Sequence, residues 1–115
     1  MKLRAIVVET DGQARMLVVE RGQMLTPLQE AVGGYIERVA VQDNRVDFWV
    51  NEEGKLHGLP VNQTATELLY RLDPRWFNWD VLVGPVVLTG GSDGQGGSLT
   101  VPDFLLDWFI ELVKQ

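Results

Sequence analysis

Apolar and polar positions along this chain switch between two periods, and the switches mark the elements. Lys2 to Glu9 reads as a strand with Ile6-Val7-Val8 at its centre, and Arg15 to Glu20 as a second with Met16-Leu17-Val18-Val19 inside. Asp11-Gly12 between them can adopt positive φ, so the chain opens with a hairpin. Tyr35 to Val41 predicts a third strand, and Asp43-Asn44 the next turn. Val46 to Asn51 is the fourth. Its alternation is clean, with Val46, Phe48 and Val50 on one side and Asp47, Trp49 and Asn51 on the other. Trp49 thus falls on the polar side, where a second layer of structure is expected to cover it.

Helical spacing appears three times. Thr26-Pro27-Leu28-Gln29 predicts a short helix capped by Thr26, with Gln29 completing a capping box and Gly33-Gly34 ending it. Asn62 or Thr64 is expected to cap a second helix, Thr64 pairing with Glu67 in another box. Ala65, Leu68, Leu69 and Leu72 form its buried face, and Asp73-Pro74 stops it. The linker Arg75-Trp76-Phe77-Asn78-Trp79 is strongly aromatic and is expected to plug the open end of the core. Val81-Leu82-Val83 and Val86-Val87-Leu88 then read as one strand buried on both faces, bent at Gly84-Pro85. A glycine-rich run from Gly90 to Ser98 predicts a flexible hairpin tip, and a last helix starts near Pro102, capped by Thr100 and Asp103.

This succession predicts an α+β fold, a mainly antiparallel sheet of about five strands with three helices packed on it. The expected organisation is a single domain over residues 1–115, with a core at 2–90, the glycine-rich loop at 90–98 and the C-terminal helix at 101–114. In that helix Asp103, Asp107, Glu111 and Lys114 form one narrow polar stripe. Leu105, Trp108, Phe109 and Leu112 make a first apolar face, and Leu106, Ile110 and Val113 a second beside it. A surface helix of a monomer needs one such face. The second predicts a homo-oligomer formed through Leu106, Ile110 and Val113.

Charge and composition narrow the partners. Sixteen acids against ten bases give a net charge of −6, which argues against DNA binding, since a non-specific DNA binder needs a basic face. No cysteine is present, so disulfide and thiol chemistry are excluded. Neither a signal-peptide pattern nor a membrane-length apolar run appears, and a soluble, cytoplasmic protein is expected.

Candidate chemistry concentrates in Asn51-Glu52-Glu53-Gly54-Lys55-Leu56-His57-Gly58-Leu59-Pro60-Val61-Asn62, between a strand and a helix. Strand-to-helix junctions offer free N–H groups and a positive helix terminus, which suit a small anionic ligand. Trp49, Asn51, Glu52, Lys55, His57, Asn62 and Thr64 are the candidate ligand-binding residues. The competing reading makes the stretch a turn with a helix cap and solvated charges. His57 is the single histidine, and no Gly-x-Ser-x-Gly turn presents a nucleophile. Glu52 and Glu53 are chain neighbours that point apart in an extended segment. No His-x-His or Glu-x-x-His spacing suggests a metal, and the glycine-rich run lacks the lysine of a phosphate loop. Neither catalysis nor a cofactor is expected.

The chain also resembles a small domain family of phages, plasmids and Gram-positive bacteria, domain of unknown function 3846. The resemblance rests on Gly33-Gly34-Tyr35-Ile36-Glu37, on Asn51-Glu52-Glu53-Gly54-Lys55-Leu56 with Gly58-Leu59-Pro60-Val61-Asn62, on Ala65-Thr66, and on Asp80-Val81-Leu82-Val83-Gly84. It covers most of residues 3 to 90 and leaves the C-terminal helix outside. It implies a mobile-element context and no particular reaction. In that context two roles are expected to compete. One is an oligomeric, non-catalytic counter-defence protein that sequesters a small nucleotide-type signal. The other is an inhibitor or adaptor that binds a host or phage protein through its acidic surface or apolar C-terminal helix.

Overall fold

Alternating side chains with few breaks give five strands, and the computed structural model, which describes all of residues 1–115, assembles them into one antiparallel sheet. The strands are β1 (Lys2–Val8), β2 (Ala14–Glu20), β3 (Ile36–Ala40), β4 (Val46–Asn51) and β5 (Val86–Gly90), in spatial order β2-β1-β5-β4-β3. The helices are α1 (Leu25–Val32), α2 (Gln63–Leu72) and α3 (Asp103–Val113). The fold is α+β, with β5, last in sequence, at the centre.

Both faces of the sheet are apolar, so both must be covered. On one face Ile6, Val8, Phe48, Val50 and Leu88 form a buried cluster with Ala65, Leu68 and Leu69 of α2 and Val101 and Leu105 at the start of α3. The C-terminal helix is therefore part of the main core. On the other face Ala5, Val7 and Val87 pack with Leu28 and Val32 of α1, and Trp49 is half-buried against them. A second layer does cover Trp49, and its indole N–H donates to Thr89 Oγ1 at 2.9 Å. Each fully buried large apolar side chain contributes about 1.5–3 kcal/mol, which holds the three layers together.

Several local expectations are corrected. α1 begins at Leu25 after Met24, without a side-chain cap; Thr26 lies inside the first turn, so its hydroxyl is not at the capping position. Gly33 ends the helix at φ 81°, as expected. In α2 the cap is Asn62, while Thr64 lies within the first turn and Glu67 accepts from Gln63 Nε2 at 3.2 Å, so no Thr64–Glu67 box forms. No side chain caps α3: Thr100 Oγ1 accepts the Arg4 N–H at 2.8 Å instead, and Asp103 contributes its charge to the first turn. Val81 to Leu88 is not one strand. Gly84 turns at φ 74°, Val83 makes a single bridge to Val61, and only Val86 onward joins the sheet.

The glycine-rich run closes as a hairpin, with Ser92 bridged to Ser98. It is held by more than its turn. Asp93 accepts the N–H groups of Gln95 at 2.7 Å and Gly97 at 3.0 Å, and pairs with Arg21 across 2.8 Å. Arg21, then the two N–H groups, keep its carboxyl below the usual range.

A second carboxylate ties the far end of α2 to the sheet. Asp73 takes both the Nε and Nη2 of Arg75, at 2.8 and 2.7 Å, and accepts the Gln42 N–H at 2.8 Å. The Arg75 guanidinium foremost, helped by these N–H donors and opposed by burial, brings its pKa down to about 2. A depressed folded-state pKa stabilises the protein above the unfolded value and ceases to do so as pH falls through the folded one. Asp73→Asn is therefore expected to lower the melting temperature at pH 7. Thermal melts from pH 7 down to about 2 should show the gap between variant and wild type closing below about pH 4. A gap independent of pH would exclude the Asp73 charge as its cause.

Candidate binding surface

At the end of β4 the chain makes a compact turn, closed by its own backbone and anchored by Asn51. Asn51 Oδ1 accepts the Glu53 N–H at 2.8 Å, and its Nδ2 donates to Val32 O at 3.2 Å, joining the turn to the end of α1. The His57 N–H donates to Glu53 O at 3.0 Å and the Leu59 N–H to Gly54 O at 2.9 Å. Gly54 has no side chain for a physical reason: a Cβ there would stand 2.9 Å from Val83 Cγ2. The turn is thus pressed against the segment that returns from α2 to β5.

That returning segment is gripped from α2. The Asn62 N–H donates to Leu82 O at 2.8 Å, the Leu82 N–H to Thr66 Oγ1 at 3.0 Å, and the Tyr70 hydroxyl to Asp80 O at 2.6 Å. Lys55 of the turn closes an ion pair onto Asp80. Between the turn, the returning segment and the open edge of β3 lies a cleft of about 160 Å³. Its charged residues are Glu37, Arg38, Glu52, Lys55 and Asp80, and Val50, Trp76 and Val83 are among its apolar ones.

Of the sequence candidates, Asn51, Glu52 and Lys55 meet at this cleft. The other four lie elsewhere. Trp49 faces α1 through the sheet. His57 is exposed on the turn. Asn62 is fully buried and its amide is used within the fold. Thr64 borders a different groove, with Asp11 and Gln115. No group of three or more histidine, aspartate or glutamate side chains gathers in metal-binding geometry.

Asp80 and the aromatic linker complete the surface, where the sequence predicts that the linker plugs the core. Trp76 packs partly against the main core, as a plug should. Phe77 and Trp79 do not. Trp79 is 80% exposed and Phe77 62%, on either side of Asn78, which takes φ 62°. Phe77 meets Tyr70 edge-on at 5.3 Å. Leu56, next to Lys55, is 78% exposed. The Lys55–Asp80 pair therefore joins two short segments that both show apolar side chains to solvent. The one signal in the sequence was the density of aromatics in a linker too short to bury them all.

These features define a small α+β domain with helices on both faces of an antiparallel sheet and a charged cleft at one edge. The chain belongs to the family described as domain of unknown function 3846, which matches residues 1–114. The match takes in α3, which the resemblance read from sequence had left outside. No curated protein and no solved structure matches the chain. No helix is long and apolar enough to cross a membrane.

Proposed function

We propose that this protein is a non-catalytic adaptor or inhibitor that binds another protein through the surface around Leu56, Phe77 and Trp79. The observation that carries this reading is the exposure of Trp79, 80%, with a nearly equally exposed Leu56 on the segment that the Lys55–Asp80 pair joins to it. Large apolar side chains left in water at one place mark interaction surfaces, and tryptophan is prominent among residues that dominate binding energy. Of the charges near the cleft, Lys55 pairs with Asp80 and Arg38 with Asp47, which leaves the acids Glu37 and Glu52 unpaired. A partner with an apolar patch edged by basic residues complements this surface. The mobile-element context implied by the resemblance makes a host or phage protein the expected target.

Sequestration of a nucleotide-type signal is the second reading, favoured by the exposed Trp79 ring, on which a base could stack. The cleft weighs against it. At about 160 Å³ it falls below the roughly 300–1,000 Å³ of sites that enclose small molecules.

Trp79→Ala tests both. Because the ring is largely in water, the variant should lose less than about 0.5 kcal/mol of stability. Its affinity for a partner captured by the wild type should fall more than about tenfold. Equal capture by both proteins would sink the adaptor reading. A rise in wild-type melting temperature with a nucleotide, absent in the variant, would establish the second reading instead.

A further inference from the structure

The sheet has two free edges, and they are built differently. β3 is five residues long, and Glu37 and Arg38 are exposed on it, charges of the kind that discourage pairing with another chain. β2 runs for seven residues, Ala-Arg-Met-Leu-Val-Val-Glu, without a proline. The Arg21 N–H donates to Met1 O and the Glu9 N–H to Gln13 O, both at 2.8 Å. Odd-numbered residues of β2 therefore bond to β1, and Ala14, Met16 and Val18 turn their N–H and C=O groups outward, as Glu20 does its N–H, its carbonyl accepting the Gln23 N–H at 2.9 Å. Val18, in the middle of this edge, is 54% exposed.

α3 lies on the same side of the molecule. Val113 and Ala14 border one groove, and Met16, Leu106 and Phe109 pack against the same buried cluster. Leu106 is thus partly taken up by the core, while Ile110 and Val113 of the same helix remain exposed. An unpaired strand edge and an apolar helix flank lie side by side.

We infer that two copies of this chain associate edge to edge along β2 about a twofold axis. The two sheets become one continuous antiparallel sheet, and the exposed flank of α3 meets its symmetry mate. A second copy fits because β2 complements itself. The register that overlaps all seven residues is centred on Leu17 and places Met16 opposite Val18 and Ala14 opposite Glu20 of the second copy. Met16 and Val18 both offer free N–H and C=O groups to each other, so the middle of the edge is satisfied on both sides. Arg15 falls opposite Val19, and no like charges face each other. A shift to a centre at Val18 would oppose Arg15 to Arg21 across the axis, which is unfavourable. The exposed Ile110 and Val113 supply the apolar flank of α3 that meets the second copy. The charged cleft lies at the opposite edge of the sheet and stays open in such a dimer.

The full chain at tens of micromolar should scatter light with twice the 12.9 kDa chain mass. Amide exchange should be slow at Met16 and Val18 and quicken on dilution. Val18→Lys should raise the dimer dissociation constant at least about tenfold, with far-UV circular dichroism and tryptophan fluorescence unchanged. Ile110→Glu should do the same through the helix flank. A monomeric wild type at this concentration overturns the inference. So does a dimer whose Met16 and Val18 amides exchange freely, or one indifferent to Val18→Lys. Should Val18→Lys fail to fold, the concentration-dependent exchange of the wild type decides the matter by itself.

Discussion

Asn62→Ala is expected to destabilise the protein by about 2–4 kcal/mol, a large share of the roughly 5–15 kcal/mol that holds a domain together. The side chain is fully buried and makes three hydrogen bonds. Its Oδ1 accepts the Ala65 N–H at 3.1 Å, capping α2, and its Nδ2 donates to Val8 O at 2.9 Å and to Gly84 O at 3.0 Å. Losing the cap alone costs about 1 kcal/mol. The Gly84 carbonyl, left without a donor, adds about 1–3 kcal/mol, while the Val8 carbonyl keeps the Val86 N–H of its strand pair. One amide thus joins the end of β1, the entry to β5 and the start of α2. Asn62→Asp separates the contributions, because it keeps the capping oxygen and replaces the donor with a group that repels both carbonyls. Urea titrations of the two variants should show both strongly destabilised. A loss near 1 kcal/mol in Asn62→Ala, with Asn62→Asp close to wild type, would mean that only the cap matters. His57→Ala, in the same stretch but exposed, should stay within about 0.5 kcal/mol.

The glycine-rich run carries the second large effect. Gly91→Ala is expected to cost about 3 kcal/mol, the upper end for forcing atoms into filled space. A Cβ at Gly91 would lie 1.8 Å from the backbone oxygen of Asn44, and one at Gly90 would lie 2.2 Å from that of Thr100. Backbone atoms on both sides leave no side chain free to move aside. Gly94 is the control. A Cβ there meets nothing within 4 Å, but φ is 81°, so Gly94→Ala should cost only about 1–2 kcal/mol from the left-handed conformation. Thermal melts of the two variants decide between close approach and conformational freedom. If Gly91→Ala proves the milder, the run is a loose tip, as its composition alone suggested.

The cleft was partly legible in the sequence. Asn51, Glu52 and Lys55 could be picked out because a polar cluster between strand and helix patterns has few structural excuses. Asp80 and Glu37 could not, because their relation to Lys55 depends on how the segment after α2 returns to the sheet. Asn62 was, with Thr64, one of two candidate caps, and its bonds to Val8 and Gly84 depend on chain that lies far away in sequence.

By itself the sequence determined the identity of the elements, the α+β class and the two-sided burial of the sheet. Those properties follow from local periodicity, which each segment carries alone: Val46, Phe48 and Val50 must share one face wherever β4 ends up. It also determined the helix stop at Gly33, where one residue's geometry suffices, and narrowed the cap of α2 to Asn62 or Thr64. Only the tertiary structure decided that β5 is central, that β2 and β3 are the free edges, and that Trp49 faces α1 while Trp79 faces water. Strand order follows from which pairings bury the most apolar surface at once. That sum runs over the whole chain, and no window of residues contains it. The same reason separates the glycines: Gly94 is required by its own φ, Gly91 by the carbonyl of Asn44 from another turn.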